Sequence, residues 1–346
     1  MKRVGRQTIA FERRPRIFAS AAVAGRRESE GPLGADFDQT FDDSRLGAQS
    51  WEQAEALLQK EALGLAMSKG GVTAEQIHLV FAGDLLNQCI SSVFGLRSFG
   101  IPFLGQYGAC ATMTQSLLLA AVTQEGGAGL MTAALTSSHF CTAERQFRTP
   151  LEYGSQRAPT AQWTVTGSGC ALVGNYGPVS IRHGLAGKIV DLGVKDAANM
   201  GAAMAPAAAD SLCRFFSDTG TRPRDYDGIF TGDLGRVGSE LLLRLLDREG
   251  YGLSGIHRDC GLMIYDTEVQ DVHAGGSGCG CCASVLCGHI LKGLRRGQYR
   301  NVLVAATGAL MSPTSSQQGE SIPGVAHVVH LVREEEGGPG GDSQGK

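Results

Sequence analysis

Phe103-Leu104-Gly105-Gln106-Tyr107-Gly108-Ala109-Cys110 is a short strand-like run that ends on a thiol, and 111–122 continues it as a long apolar helix. The N-terminus of a buried helix carries free N–H groups and partial positive charge. Such a field favours a thiolate, or an anion bound beside it. The arrangement recurs. Val80-Phe81-Ala82-Gly83-Asp84-Leu85 returns 149 residues later as Ile229-Phe230-Thr231-Gly232-Asp233-Leu234, with four identities in six. The segment 126–137 returns at 297–308, an offset of 171 that carries Cys110 onto Cys281. Two long similar halves in the same order are a duplicated domain, unlike the short serial units of a solenoid.

The elements read outward from there fit two such halves. A helix over 51–69 has an apolar stripe through Ala54, Leu57, Leu58, Leu65 and Ala66, and Gly70-Gly71 stops it. A strand over 77–82, a helix over 89–99 and a buried strand over 130–136 follow. A polar loop fills 138–162, and 164–173 reads as a strand interrupted by Gly167 and Gly169. Ahead of these, 7–11 reads as a strand and 25–34 as a Gly-rich loop. The second half predicts helices over 202–216, 238–248 and 281–294. Its strands are expected at 228–231, 261–265, 302–306 and 324–332. The core helices after Cys110 and Cys281 are apolar nearly all round, which requires cover on every side. A helix layer between two sheets supplies it. The expected units are 1–178 and 179–333, with 334–346, acidic and Gly-rich, as a disordered tail.

Composition narrows the function classes. With 346 residues, 42% hydrophobic and 19% charged, the chain can bury a large core. A net charge of −3 gives no basic face for nucleic acid. No apolar run is long enough to span a bilayer, and no apolar segment follows Lys2, Arg3 and Arg6 as a secretory signal would require. Ten cysteines in a chain of this size read as reduced thiols.

The duplicated architecture with a cysteine at the first core helix resembles the thiolase and ketoacyl synthase superfamily. Within it, the chain is most similar to the stage V sporulation AD family of spore-forming bacteria. In the first half the likeness rests on Glu30-Gly31-Pro32-Leu33-Gly34, Ala82-Gly83-Asp84-Leu85-Leu86-Asn87-Gln88, Tyr107-Gly108-Ala109-Cys110, Thr142-Ala143-Glu144-Arg145-Gln146-Phe147-Arg148 and Trp163-Thr164-Val165-Thr166-Gly167. Ile189-Val190-Asp191-Leu192-Gly193, Met204-Ala205-Pro206-Ala207-Ala208-Ala209-Asp210, Ala274-Gly275-Gly276-Ser277-Gly278-Cys279 and Thr307-Gly308-Ala309-Leu310 extend it. The resemblance implies an α/β thiolase-like fold in five layers, αβαβα. It implies binding of dipicolinic acid, free or with calcium, during uptake into the spore and release at germination. It also implies work beside other stage V proteins, peripheral on the spore inner membrane, and a homodimer formed through first-half strands.

Cys110 aligns with the superfamily nucleophile. Acyl transfer also needs second-half His or Asn groups to orient and protonate the thioester oxygen. Gly232-Asp233-Leu234 and Gly275-Gly276-Ser277-Gly278 stand at those positions, and His257 and His273 fall beside them. The expectation is therefore a non-enzymatic binder without a resident cofactor, with Cys110 and Ser277 as pocket residues. The alternatives are a Cys110-dependent acyl transferase using His139 or His273 as base, and a purely structural subunit. His139, Arg145 and Arg148 are the expected grip on a flat dianion, against a reading as a loop cap and surface ion pairs. Asp84 and Asp233 are pocket carboxylates or, by preference, helix caps, and Asn87 suits either role. Cys279-Gly280-Cys281-Cys282 lacks the second Cys pair of a zinc site. The loop 275–280 lacks the Gly-Lys-Ser/Thr ending of a phosphate loop, so its glycines are expected to permit close backbone approach.

Overall fold

A computed structural model describes residues 1–147, 157–253 and 255–335. The hairpin β1 (Lys2–Val4) and β2 (Thr8–Ala10) leads into β3 (Arg16–Gly25), the turn α1 (Arg26–Ser29) and β4 (Gln39–Phe41). There follow α2 (Trp51–Gly70), β5 (Leu79–Gly83), α3 (Ile90–Leu96), β6 (Phe103–Gly105), α4 (Thr112–Gly126), β7 (Thr132–Ser138), α5 (Phe140–Phe147), β8 (Trp163–Thr164) and β9 (Gly167–Gly174). The second half runs β10 (Val179–Leu185), α6 (Met200–Thr219), β11 (Gly228–Thr231), α7 (Gly235–Arg248), β12 (His257–Asp259), α8 (Cys260–Met263), β13 (Gly276–Ser277) and α9 (Cys279–Val285). A π-helical turn over Leu286–Ile290 joins α9 to α10 (Leu291–Arg296), and β14 (Asn301–Ala309), α11 (Pro313–Gln317) and β15 (Gly324–Arg333) end the described chain.

The duplication is visible in the sheet. One half orders its strands β3-β9-β7-β5-β6 and the other β10-β15-β14-β11-β12. Strand for strand the two lists correspond, with β5 and β11 parallel to both neighbours in each. They meet through only two residue pairs, Val179↔Ile17 and Ser180↔Arg16. Between the two sheets lie α4 and the α9–α10 helix. Every residue of α9 is buried, and α4 packs against β5 and β7 on one side and β14 and β15 on the other. The helices α2 and α6 cover the outer faces. Ser50 caps α2 by accepting from Gln53 N, and Gly71 ends it at φ 64°. The result is the five-layered α/β arrangement, thiolase-like in its order.

The structure departs from the sequence reading in several places. The central strand β3 stands where no strand was expected, because an alanine-rich run (Ala19, Ala21, Ala22, Ala24) lacks β-propensity yet is buried on both faces. The expected strand over 261–265 is the helical turn α8, and the sheet edge is instead β12 just before it. Short apolar runs do not distinguish the two. The expected strand over 164–173 is split: β8 leaves the main sheet to pair in parallel with β13, and β9 starts at Gly167. Glu334, assigned to the tail, donates its N–H to Pro178 O, and its carboxylate lies 2.7 Å from Arg182. Residues 336–346 lie outside the described chain. Among the described residues no helix is long and apolar enough to cross a membrane.

Candidate functional site

Cys110 sits at a strained elbow. Ala109 before it has φ 49°, a left-handed conformation that costs an L-residue about 1–2 kcal/mol. Thr112 Oγ1 holds the turn, accepting from Gly108 N (3.0 Å) and donating to Ala109 O (2.6 Å). The helix α4 begins just after. From the second half, Gly308 packs on this elbow, where a Cβ would lie 2.3 Å from Gly108 O. Gly278 (φ 103°) approaches from the other side, and a Cβ there would lie 2.6 Å from Ser138 Oγ.

What faces the thiol is acid and hydroxyl. Cys110 Sγ lies 3.9 Å from Ser277 Oγ, and Ser277 links it to the Asp233 carboxylate, whose charge acts on the thiol. Asp233 Oδ2 accepts from Ser277 Oγ and from Gly278 N, both at 2.9 Å, and Oδ1 accepts from Thr307 Oγ1 at 3.0 Å. Burial, and next the Asp233 carboxylate, push the Cys110 thiol well above its ordinary value. Burial raises Asp233 too, against the hydrogen bonds that favour its charge. The helix-terminus field expected to favour a thiolate is thus outweighed: desolvation and a neighbouring carboxylate both disfavour a second anion. Asp233 is therefore no helix cap. Asp259 does that work for α7, accepting from Leu234 N (2.8 Å) and Gly235 N (3.0 Å).

The cavity over Cys110 is small, about 40 Å³, and apolar, lined by Leu85, Tyr107, Phe147, Met200, Ala309 and Met311 among others. Among the described residues no imidazole, carboxamide or guanidinium lines it, and its one charged lining residue is Glu144. A cavity that admits a benzene ring is on the order of 150 Å³.

Of the residues singled out in the sequence, Cys110 and Ser277 meet here and the others do not. His139 is buried on the opposite side of β8, where both ring nitrogens are used: Nε2 contacts Ser44 O (2.8 Å) and Nδ1 accepts from Cys141 N (3.1 Å). It borders a second cavity of about 460 Å³. Because successive residues of a strand face opposite ways, Thr164 lines the Cys110 slot while Trp163 lines this larger cleft. There Phe140 stacks on Trp163 at 3.8 Å, and the guanidinium carbons of Arg27 and Arg157 lie 3.8 and 3.9 Å from the Trp163 ring centre. Arg145 is half exposed and pairs with Glu52, while Arg148 lies outside the described residues. Asp84 is fully buried and accepts from Leu86 N, Ser92 N and Ser92 Oγ, so it caps the first turn of α3. Asn87 is exposed, and its N–H donates to Gln146.

Two groups behind the site went unnoticed in the sequence. Glu55 and Gln59 of α2 look like surface polar residues of an amphipathic helix but are buried. Glu55 accepts from Ser137 Oγ (3.0 Å) and Thr142 Oγ1 (2.6 Å). Gln59 donates to Gly83 O (3.1 Å) and Ser92 Oγ (2.8 Å). The role of Asp233 had one signal, its place at the superfamily's imidazole position. Among the described residues no group of three or more His, Cys, Asp or Glu side chains is arranged to hold a metal ion.

Comparison with known proteins fits this geometry. Among solved structures, 3-oxoacyl-[acyl-carrier-protein] synthase III from Aquifex aeolicus VF5 superposes with a TM-score of 0.56 at 11% identity, covering 92% of this chain and 99% of that one. Cerulenin-bound OleA from Xanthomonas campestris gives 0.57 at 12% identity, covering 94% and 98%. At such identities the likeness is one of fold. The stage V sporulation protein AD of Bacillus subtilis (strain 168) is 46% identical over 334 residues, 96% of this chain and 98% of that one. The family model described as Stage V sporulation protein AD matches residues 5–332. The chain belongs to the stage V sporulation protein AD family.

Proposed function

We propose that this protein is a non-catalytic, dipicolinate-binding component of the spore's dipicolinate uptake and release machinery. In this reading it acts as a homodimer beside other stage V proteins, peripheral on the spore inner membrane. The observation that carries the non-catalytic reading is the Asp233 carboxylate and Ser277 hydroxyl against Cys110. An acyl-transfer site needs a nucleophilic thiolate and donors for the oxyanion. Here burial, and next the neighbouring carboxylate, disfavour the thiolate, and an acid in its charged form accepts hydrogen bonds and offers none. The family membership brings sporulation to the reading.

Two features favour a flat aromatic dianion as ligand. The Trp163 cleft has room for a ring, and the Arg27 guanidinium stacked on Trp163 brings a fixed positive charge to its wall. The Cys110 slot adjoins it across Thr164 and holds only about one or two waters' volume in this conformation, so contact with Cys110 and Ser277 requires the slot to open. His139 supports the cleft wall. Calcium would enter with the ligand as its chelate, since it prefers oxygen donors.

Calorimetric titration with dipicolinate, with and without calcium, tests this. The expected result is saturable heat that weakens at least about tenfold in Arg27→Ala and in Trp163→Ala. No heat at millimolar ligand overturns the binding reading. An acyl group found on Cys110 after incubation with acyl-coenzyme A overturns the non-catalytic one.

A further inference from the structure

β14 carries Ala309, at the Cys110 slot, on one end and Asn301 on the other, roughly 26 Å away at strand spacing. At that far end lies a cavity of about 700 Å³ bordered by Arg182, His183, Arg300, Asn301, His330 and Arg333. Three features make this more than an exposed basic surface. Arg300 and Arg333 face one another where the β14–β15 ladder ends, with Arg333 N donating to Arg300 O at 2.8 Å. Like charges opposite each other on a sheet repel, and neither guanidinium forms an ion pair with a described residue. Arg182 is the extra residue of a β-bulge, where the β10–β15 register shifts between Ile181 and His183. Bulges re-aim side chains and cluster at functional sites. The floor is a stacked imidazole pair, His183 and His330, with rings 5.2 Å apart at 6° and Nδ1 atoms 2.9 Å apart; His330 Nε2 is held 2.5 Å from Asn301 Oδ1.

The chain already supplies one carboxylate to this cluster. Glu334 Oε1 accepts from Arg182 Nη2 at 2.7 Å, while Oε2 lies 3.7 Å from Arg16 Nη2. Glu335 also borders the cavity. Arg300 and Arg333 are left for anionic groups from outside. We propose that this cleft is a second ligand site, separate from the Cys110 and Trp163 cavities, for a molecule bearing two or more carboxylate or phosphate groups.

The test uses the full-length protein with pyrophosphate as probe, followed by calorimetry at low and high salt. Saturable binding is expected, weakened at least about tenfold in the Arg300→Gln/Arg333→Gln double variant and screened by salt. Both side chains are exposed, so the variant's thermal melting should match that of the parent. In Glu334→Gln, which removes the internal competitor, binding should tighten. Vesicles containing cardiolipin, whose headgroup carries two phosphates, separate a lipid headgroup from a free anion. Flotation that depends on Arg300 and Arg333, without heat from pyrophosphate, assigns the headgroup; the reverse pattern assigns a soluble ligand. No saturable interaction with pyrophosphate or vesicles, or one that the double variant leaves unchanged, overturns the proposal. Dipicolinate binding that persists in the double variant while pyrophosphate binding is lost shows the two sites to be distinct, so each reading can fail alone.

Discussion

At the scale of the residue, two buried carboxyl groups set the chemistry of the first half's core and its edge. Burial first, and then the like charge of Asp233, oppose ionisation of Cys110. Asp233→Asn should therefore lower the Cys110 pKa toward the ordinary thiol range. Iodoacetamide alkylation of Cys110 at pH 8, read by peptide mass spectrometry, should accelerate by about tenfold for each unit of that fall. An unchanged rate in a folded variant would mean that burial alone controls the thiol. The same variant should lose about 1–3 kcal/mol, since Thr307, Ser277 and Gly278 N must share one fewer full acceptor. Glu55 is the second case. Burial first, then the charge of Asp84, push its carboxyl up to about 8 from an ordinary 4.5. The folded form thus binds this proton more tightly than the unfolded chain. That contribution to stability is complete below the unfolded value and is lost as pH rises toward about 8. Glu55→Gln should shrink the drop in unfolding free energy between pH 5 and pH 8 by about 1–3 kcal/mol, measured by urea melts at both pH values.

At the scale of the element, the site depends on glycines that let second-half loops reach the Cys110 elbow. Gly308→Ala would press a methyl group against the Gly108 carbonyl, and Gly278→Ala would add left-handed strain to a clash with Ser138. Each should cost about 2–4 kcal/mol in thermal or denaturant unfolding. Gly126→Ala, in a helical position whose Cβ meets nothing within 4 Å, should be neutral or slightly stabilising and serves as the control. The value of the 275–280 loop was legible beforehand, because Gly-rich runs beside a core helix have few other uses. The elements that were not legible share one physical cause. β3 is built from alanine, which signals no strand, and its burial comes from layers on both sides that local pattern does not encode. Residues 260–263 form a helical turn because Asp259 turns back to bind Leu234 and Gly235, a tertiary contact hidden from any window of sequence. Likewise the pairing of β8 with β13 joins residues more than a hundred apart and decides which way Trp163 points.

At the scale of the molecule, duplication made the layer order readable: two matched segments recurring in the same order require two matched sheets, and two all-round apolar helices require a place between them. The site was less legible than the fold because its partners come from opposite halves. Cys110 meets Asp233 and Ser277 only after the sheets close on the central helices, whereas His139, near Cys110 in the same half, faces away. Duplication also creates two outer sheet edges, and they differ. β12 exposes Arg258, a charge of the kind that guards edges against pairing. β6 instead exposes Leu104 at 47%, with Phe94 (49%) and Tyr107 (46%) nearby. An open strand edge flanked by apolar side chains is a template for another strand, and a second copy of the chain offers the same edge in a closed two-fold arrangement. Light scattering on the purified protein should therefore report twice 36.3 kDa at tens of micromolar. Leu104→Glu combined with Phe94→Ser should yield a folded monomer, because a buried unpaired charge at a self-complementary interface is met twice. A wild-type chain that stays monomeric at that concentration would leave the β6 edge to a different partner and remove the homodimer from the proposal.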